Sequence, residues 1–281
     1  MNLYSYDLHD LKNKLPKRKN DSYKGTYGKV LVIAGSRNMA GAAYLSAKAA
    51  YRTGAGLVYI YTEEFNRTIL QTLLPEAVLY TYDPDNWCKE EFTAILEDKN
   101  AVVAGPGLGT SAVKEQIIST LLSGYKGKMI IDADGLNILS KHPEWMKDCE
   151  NPFIITPHQG EMKRLSGGDF PPERKGYPEF ARNFSEKNGV ITVLKDYQTV
   201  VSNGKECYVN LSGNHGMATG GSGDVLSGII GGLLAQGLDV FEAAKLGVYI
   251  HGLAGDRAME KRGAYSMMAS DIADAILYGI S

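Results

Sequence analysis

A glycine-rich segment in the last third of the chain, GNHGMATGGSGD from Gly213 to Asp224, combines the residues best suited to bind an anion. Glycines at positions 220, 221 and 223 let consecutive backbone N–H groups turn into one concavity. A helix predicted to begin near Asp224 adds its positive end. The segment lacks the Lys-Ser/Thr pair of a P-loop, so it predicts an anion site built from backbone amides.

Asp224 itself has two interpretations. A carboxylate beside a phosphate site can take the proton of an alcohol that attacks a phosphoryl group. An aspartate at the start of a helix is also an ordinary N-cap, which accepts backbone N–H groups and takes no part in chemistry. Asp224 is therefore a candidate general base, with the N-cap as the alternative.

Two further glycine-containing turns follow apolar runs. Gly105-Pro-Gly-Leu-Gly109 comes directly after one of them and precedes a predicted helix, which places it where open α/β sheets bind ligands. The alternative is a tight turn with no ligand. Neither this turn nor the one from Gly35 to Gly41 has the G-x-G-x-x-G spacing of a dinucleotide-binding turn, which disfavours a hydride-transferring Rossmann enzyme.

Polar clusters stand at three more points where an apolar run stops. They are Asp132–Asn137, Thr156–Glu161 and Leu194–Thr199. Because the carboxyl ends of parallel strands meet at one edge of a sheet, we expect the clusters to converge on one crevice. Each has a simpler alternative: Asp132 and Asp134 as helix caps, His158 as a satisfied buried histidine, and Lys195 as a side chain extended along the surface. His251 and Asp256, on one predicted helix, are assigned to packing or a partner contact.

The elements that must position these residues alternate between Val- and Ile-rich runs and segments of helical period, which is typical of βαβ units around a parallel sheet. Strands are predicted at Lys29–Ala34, Leu57–Tyr61, Ala77–Tyr80, Ala101–Ala104, Lys128–Ile131, Phe153–Thr156 and Val190–Leu194. Asn203-Gly204 predicts a hairpin of two antiparallel edge strands, Thr199–Ser202 and Glu206–Asn210. The fold class is a three-layer α/β/α sandwich of eight or nine strands.

Boundaries are predicted from glycine and proline. A helix from Ala42 is expected to end at Gly54 as a left-handed C-cap, and Gly167–Pro178 is expected to be a surface loop. From Asp224 onward the pattern is helical only. Because no linker divides the chain, residues 1–281 are interpreted as a single domain.

Composition narrows the function classes. Apolar residues are 44% and charged residues 22% of 281, which are ordinary globular values and exclude a disordered or collagen-like chain. A net charge of −2 predicts neither a nucleic-acid nor a membrane partner. The first 20 residues contain no apolar segment of the signal-peptide type, and the three cysteines are dispersed. We expect a soluble, cytoplasmic protein.

Seven motifs in fixed order give a family resemblance. They are Lys24-Gly-Thr-Tyr-Gly, Gly41-Ala-Ala with Gly54-Ala-Gly-Leu-Val, Gly105-Pro-Gly-Leu-Gly, Asp132-Ala-Asp-Gly-Leu-Asn, Thr156-Pro-His-x-Gly-Glu, Leu194-Lys-x-x-x-Thr and Gly220-Gly-Ser-Gly-Asp-Val-Leu-Ser-Gly. With them the chain resembles the NAD(P)H-hydrate dehydratase family of the ribokinase-like superfamily. The resemblance implies that a nucleotide phosphorylates the C6 hydroxyl of hydrated NADH or NADPH (NADHX or NADPHX), after which phosphate is eliminated.

The resemblance also implies roles for individual residues. Asp224 is the catalytic base, and Gly221, Ser222 and Gly223 form the anion hole. The nucleotide-binding residues are Lys195, Asp196, Tyr197, Gln198, Thr199 and Gly223. The residues that hold the hydrated cofactor are Ala43, Gly107, His158 and Asp224. Glu161 organises Mg²⁺ through water.

The same resemblance implies ADP, or else ATP, as phosphoryl donor, with Mg²⁺ as cofactor. It further implies a homo-oligomer, with a tetramer favoured, and cooperation with a separate NAD(P)HX epimerase, since we expect a free-standing dehydratase. Three residues depart from the family pattern: Asp196 replaces the usual Gly, Ser222 the commoner Thr and Gln159 the commoner Pro.

Two alternatives remain. One is a ribokinase-like kinase of a small alcohol, such as hydroxymethylpyrimidine or hydroxyethylthiazole. The glycine loops at Gly41 and Gly105 favour a substrate that has its own pyrophosphate, which those alcohols lack. The other is a catalytically silent nucleotide sensor, which the intact Asp224 opposes.

Overall fold

A computed structural model describes residues 13–276 of the chain and contains a nine-stranded mixed sheet. The strands are β1 (Lys29–Ile33), β2 (Leu57–Glu63), β3 (Val78–Tyr82), β4 (Ala101–Ala104), β5 (Lys128–Ile131), β6 (Ile154–Ile155), β7 (Ile191–Leu194), β8 (Val200–Ser202) and β9 (Cys207–Val209). They lie in the order β3-β2-β1-β4-β5-β6-β7-β8-β9. Strands β1 to β7 pair in parallel, and β8 and β9 add an antiparallel edge.

Helices lie on both faces of this sheet. They are α1 (Ala40–Arg52), α2 (Arg67–Leu73), α3 (Lys89–Leu96), α4 (Ala112–Gly124), α5 (Asp134–Leu139), α6 (Trp145–Asp148), α7 (Gln159–Leu165), α8 (Tyr177–Asn188), α9 (Ser222–Ala235), α10 (Val240–Arg262) and α11 (Ala269–Asp274). Within residues 13–276, no helix combines the length and the apolar character needed to cross a membrane.

Alternate residues of the central strands enter two separate cores. Val30 and Val32 of β1 pack with residues of α1, α9 and α10. Leu31 and Ile33 of the same strand pack with residues of α4 and α8 on the opposite face. Because successive side chains of a strand point to opposite faces, a strand covered on both sides must be apolar throughout. The predicted three-layer arrangement is confirmed.

The hairpin prediction at Asn203-Gly204 is also confirmed. The Asn203 side-chain oxygen accepts the N–H groups of Lys205 and Glu206 at 3.0 and 2.7 Å. Gly204 has φ of 90°, which glycine adopts without the strain that a side chain would cause.

Several predicted boundaries differ from those of the structure, and two of them concern glycine and proline. Helix α1 begins at Ala40, two residues before the expected start, and its C-cap is Thr53, with Gly54 at φ 110° immediately beyond. The loop expected to run to Pro178 ends earlier, because α8 begins at Tyr177. Proline is tolerated in the first turn of a helix, where its missing N–H has no intrahelical partner to lose.

Close packing of α1 on α9 fixes the place where the glycine-rich loop enters its helix. A Cβ on Gly228 of α9 would lie 2.1 Å from the backbone oxygen of Ser46 in α1, so glycine is required at this crossing. The Ser46 hydroxyl donates to the Asp224 backbone oxygen at 2.9 Å. The position of Asp224 is therefore set by helix packing as well as by its own loop.

Candidate functional site

The three polar clusters that follow β5, β6 and β7 meet at one edge of the sheet. The Lys195 Nζ donates to Asp132 Oδ1 at 2.8 Å and lies 3.7 Å from Glu161 Oε2. A parallel bridge also joins His158 to Lys195. Lys195 is thus the inner cation of an acidic cluster rather than a side chain extended along the surface.

Asp132 has partners for both of its oxygens. Its Oδ2 accepts the hydroxyl of Ser227 of α9 at 2.6 Å, and the side chain is almost fully buried. Ser227 is not among the predicted site residues, although it stands three positions after Asp224 in the last of the seven motifs. The pair joins the end of β5 to the helix that presents Asp224.

Asp224 does not have the cap position that the sequence suggests. Helix α9 begins at Ser222, its N-cap is Gly221 at φ 89°, and Asp224 is the third helical residue. Burial raises the pKa of Asp224 to about 7, the charge of Asp132 adds to this rise, and Lys195 opposes it. A carboxyl group in this state can accept a proton at neutral pH.

The residues predicted to form the anion hole, Gly221, Ser222 and Gly223, lie at the start of α9. A Cβ on Gly221 would come within 2.5 Å of Leu45 Cδ1, and one on Gly223 would lie 3.4 Å from Lys195 Nζ. The Lys195 ammonium therefore borders the loop whose amides are predicted to bind phosphate. Burial lowers the pKa of Lys195, but the charges of Asp132 and Glu161 outweigh it and raise the pKa overall, so the group is cationic.

A cavity of about 550 Å³ extends from this loop towards β8 and α10. Its lining includes Lys195, Asp196, Tyr197, Thr199, Ser222, Gly223 and His158 from the predicted set, together with Asn210, Asn214 and His251. Gln198 is not among the lining residues, and its backbone oxygen accepts from Arg174 at 3.0 Å. The cavity is thus lined by most of the predicted nucleotide-binding residues and by Ser222 and Gly223 of the predicted anion hole.

His251 lines this cavity, and Asp256 is bonded to a loop that lines it, while their assignment to packing or a partner contact stays a prediction. The His251 Nε2 lies 3.3 Å from the Ser222 hydroxyl. Burial lowers the pKa of His251 to about 4, so its ring is neutral at pH 7. Asp256 accepts the Gly213 N–H at 3.1 Å and the Asn214 side-chain amide at 2.9 Å, which fixes the loop that lines the cavity.

Two of the three departures from the family pattern contact each other. The Gln159 amide donates to Asp196 Oδ1 at 3.4 Å, and Arg174 Nε donates to Asp196 Oδ2 at 2.9 Å. The Arg174 guanidinium also lies 4.3 Å from the centre of the Tyr197 ring. The carboxylate that stands near the expected phosphate path therefore has its own cationic partner.

His158 is neither buried nor unpartnered. Its Nδ1 accepts the N–H groups of Gly160 and Glu161 at 2.9 and 3.3 Å, and Glu161 Oε2 accepts the His158 N–H at 2.8 Å. This reciprocal arrangement caps α7. Because Nδ1 accepts, a neutral ring has its proton on Nε2. The side chain is 55% exposed and can still contact a ligand.

Of the residues predicted to hold the hydrated cofactor, Ala43 and Gly107 do not line this cavity, whereas His158 does. Gly107 has φ of 57°, and a Cβ there would lie 2.9 Å from Ala42. Asp134 accepts the Gly109 N–H at 2.8 Å, so it fixes this turn rather than joining the acidic cluster. Ala43 is fully buried beneath the first glycine loop and offers no side-chain surface to a ligand.

The sequence of this chain matches one family along most of its length. The family described as NAD(P)H-hydrate dehydratase matches residues 30–277. The chain belongs to the NAD(P)H-hydrate dehydratase family. An ADP-dependent (S)-NAD(P)H-hydrate dehydratase from Neisseria meningitidis serogroup B is 40% identical to it over 264 residues, covering 92% of this chain and 86% of that protein.

Other members differ in length. A bifunctional NAD(P)H-hydrate repair enzyme Nnr from Coxiella burnetii is 39% identical, and the match covers 92% of this chain but 51% of that enzyme. The chain therefore spans about half the length of that bifunctional relative.

A crystal structure of the ADP/ATP-dependent NAD(P)H-hydrate dehydratase from Bacillus subtilis, co-crystallised with ATP/Mg²⁺, has a TM-score of 0.86 and 30% identity. The match covers 99% of this chain and 98% of that one. The ribokinase-like fold implied by the resemblance is confirmed.

Replacement of Asp224 by Asn tests its protonation state in the dehydratase fold. The folded pKa of about 7 lies above the ordinary value of 3.8, so ionisation costs stability as pH rises from about 4 to 7. A pKa difference of one corresponds to about 1.4 kcal/mol, so the cost above pH 7 is of the order of a few kcal/mol. Asp224→Asn should therefore raise the melting temperature at pH 8 and change it little at pH 4.5. A small loss of stability at both pH values, as expected for a lost helix cap, would contradict this assignment.

Proposed function

We propose that this protein dehydrates NADHX and NADPHX in a nucleotide-dependent reaction. The nucleotide phosphorylates the C6 hydroxyl of the substrate, and elimination of phosphate returns NADH or NADPH. The observation that supports this proposal most strongly is the Asp224 carboxyl group, with a pKa of about 7, in the first turn of α9 beside the Lys195 ammonium. Proton acceptor, amide-lined anion hole and cation stand together, as phosphoryl transfer to an alcohol requires.

Each group has one task in this mechanism. Asp224 takes the proton of the C6 hydroxyl as its oxygen attacks the terminal phosphorus, and the bond from that phosphorus to the bridging oxygen breaks, which releases AMP from ADP or ADP from ATP. The amides of the Gly221–Gly223 loop and the Lys195 ammonium stabilise the negative charge on the transferring group. Phosphate then departs with the electrons of the C6–O bond, and the neighbouring carbon gives up a proton to water, so that its C–H electrons form the restored double bond. Phosphate is a far better leaving group than hydroxide, so phosphorylation by the nucleotide makes the elimination possible.

The donor set fits Mg²⁺ held mainly through water. Among residues 13–276, no three His, Cys, Asp or Glu side chains are grouped to hold a metal directly. Both Asp132 oxygens are engaged, which leaves Glu161, buried at the edge of the cluster, as the protein contact. Mg²⁺ keeps several waters and prefers nucleotide phosphates as ligands, and when bound it would offset the charge of the phosphoryl donor.

We place ADP, or else ATP, in the 550 Å³ cavity, with its phosphates at the start of α9. Tyr197 lines this cavity and is 75% exposed, with Arg174 against its ring, so it offers a face on which a base can stack. The hydrated cofactor would lie against Gly107, which does not line this cavity, and His158, which does line it, would stand where the two ligands meet.

A small-alcohol kinase is not favoured. Such a kinase would stop after phosphoryl transfer and would have no use for the second group of glycine turns at Gly35–Gly41 and Gly105–Gly109. Cooperation with a separate epimerase, a homo-oligomeric and favoured tetrameric state, and residence in the cytoplasm stay predictions.

The direct test is incubation with prepared NADHX, MgCl₂ and ADP or ATP while the absorbance of reduced nicotinamide is followed at 340 nm. We expect recovery that requires a nucleotide. Asp224→Asn should lose about 10²- to 10⁴-fold in rate, since it removes the general base, yet bind nucleotide as the parent does. Efficient phosphorylation of hydroxymethylpyrimidine or hydroxyethylthiazole with NADHX untouched would support the kinase instead.

The pKa of Asp224 sets the expected pH dependence. The carboxylate is the active form, so kcat/KM for NADHX should be level above pH 7 and fall about tenfold for each pH unit below it. Initial rates between pH 5 and 9 at saturating nucleotide measure this. A rate that stays level down to pH 5 would show that Asp224 is not the base that limits the reaction.

The Arg174–Asp196 pair should control nucleotide affinity. Arg174→Gln leaves the Asp196 carboxylate without its cation beside the nucleotide phosphates, and a repulsion of about 1 kcal/mol would raise the KM for ADP roughly fivefold. The double variant with Asp196→Gly removes both charges and should return the KM close to the parental value. The KM for NADHX should not change in either protein. Equal loss of affinity for both ligands would contradict separate binding sites.

A further inference from the structure

A buried ion pair lies behind the two glycine turns and uses none of the groups that the proposed reaction needs. The Lys114 Nζ of α4 donates to Glu63 Oε1 at 2.7 Å, and the two side chains are 3% and 10% exposed. Lys114 also donates to the Tyr82 hydroxyl. Burial lowers the pKa of Lys114, and the hydrogen bond to Glu63 opposes that change.

The second oxygen of Glu63 holds the first glycine turn. Its Oε2 accepts the backbone N–H of Arg37 at 3.1 Å. Two neighbours at the same strand end do similar work: the Thr62 hydroxyl donates to the Gly35 oxygen at 3.3 Å, and the Asn66 amide donates to the Ser36 oxygen at 3.3 Å. The backbones of residues 35, 36 and 37 are thus hydrogen-bonded to side chains at or just after the end of β2.

The first turn also holds the second. The Gly35 N–H donates to the Pro106 oxygen at 2.9 Å, and the Ser36 hydroxyl donates to the Gly107 oxygen at 2.9 Å. The pair is therefore bonded directly to the first turn, through Glu63 and Arg37, and is linked to the second turn only through the first. None of residues 35–41 or 105–109 lines the nucleotide cavity.

A contribution to the stability of the fold does not by itself explain why a buried ion pair stands at this position. The free-energy cost of removing two charges from water offsets most of the attraction between them. A pair of well-packed apolar residues of similar size therefore often gives a fold the same stability. The turn above the pair has exposed residues at 37–39, and Asn38 has φ of 72°, which is uncommon for a residue other than glycine. Such a turn needs an external constraint to keep one conformation.

We propose that Glu63, with its charge balanced by Lys114, is a positioning residue that fixes the 35–39 turn and through it Gly107, and so sets the affinity for the hydrated cofactor. This inference rests on the proposed function. It assigns the pair to the hydrate side of the site and leaves nucleotide affinity to other residues. Within the pair, the Glu63 acceptor for the Arg37 N–H is the decisive contact.

Three variants separate positioning from stability. Glu63→Leu/Lys114→Leu removes both charges and the acceptor, and should melt near the parent. Lys114→Met leaves Glu63 Oε2 free to accept the Arg37 N–H but removes the cation that balances the Glu63 carboxylate. This variant should therefore have a lower melting temperature, while the hydrogen bond to the turn is kept. Phe184→Leu, a core change at the far end of the sheet, serves as a control for lost stability alone.

Two readouts are needed. In steady-state kinetics the Leu/Leu variant should raise the KM for NADHX about tenfold, with kcat and the KM for ADP unchanged. Lys114→Met and the Phe184→Leu control should keep the parental KM for NADHX. Hydrogen-exchange mass spectrometry, which needs no turnover, should show faster exchange of peptides covering residues 35–41 in the Leu/Leu variant only.

The outcomes are distinguishable. A parental KM for NADHX and parental exchange in a folded Leu/Leu variant would overturn the inference, as would a KM that follows melting temperature across all the variants. A parent protein that does not act on NADHX would refute the proposed function. The exchange of residues 35–41 would then still decide whether Glu63 positions the turn.

Discussion

The site depends on a single buried ammonium group placed among three carboxylates. Lys195 is bonded to Asp132, lies near Glu161 and borders the loop before Asp224. One positive charge cannot balance three negative charges in a buried cluster, so the least well-paired carboxyl group keeps its proton more tightly. Asp132 has Lys195 and Ser227 as hydrogen-bond partners, whereas Lys195 acts on Asp224 only through its charge. Burial and this imbalance together are the physical reason that Asp224 has a pKa near neutrality.

The same imbalance explains why the loop before α9 consists of small residues. In the proposed reaction a phosphoryl donor would bring more negative charge to a cluster that already has an excess, so its attraction would have to come from groups that do not titrate. Backbone amides at a helix N-terminus meet this requirement. Packing of α9 on α1 at Gly228, together with the bond from Ser46 to the Asp224 backbone, holds those amides in place before any ligand arrives.

Local sequence patterns could predict the strands, the approximate start of α9 and the edge of the sheet at which the candidate site lies. The runs Ala101–Ala104 and Lys128–Ile131 are apolar on both faces, and their predicted bounds agree with β4 and β5. The predicted start of α9 is two residues late, because Gly221 takes a left-handed conformation and is itself the N-cap. Glycines and carboxylates at strand ends mark the site, since parallel strands must bring those ends together.

Partners distant in sequence could not be predicted in this way. Ser227 meets Asp132 across 95 positions, and Lys114 meets Glu63 across 51. Nothing in the local pattern around a buried serine or a helical lysine distinguishes these residues from ordinary packing. The contact between His251 and Ser222 could not be predicted for the same reason, because it joins α10 to the first residue of α9 across 29 positions.

The departures from the family pattern have to be interpreted through such partners as well. Taken alone, Asp196 adds a carboxylate where phosphates should pass and speaks against a nucleotide site. In the fold it is bonded to Gln159, which is itself a departure, and to Arg174, whose guanidinium also packs on Tyr197. The replacement of a glycine by an aspartate is therefore matched by a cation from another part of the chain. The net charge presented to the nucleotide stays close to that of a site with glycine at this position, while the loop gains a side-chain anchor that glycine could not supply.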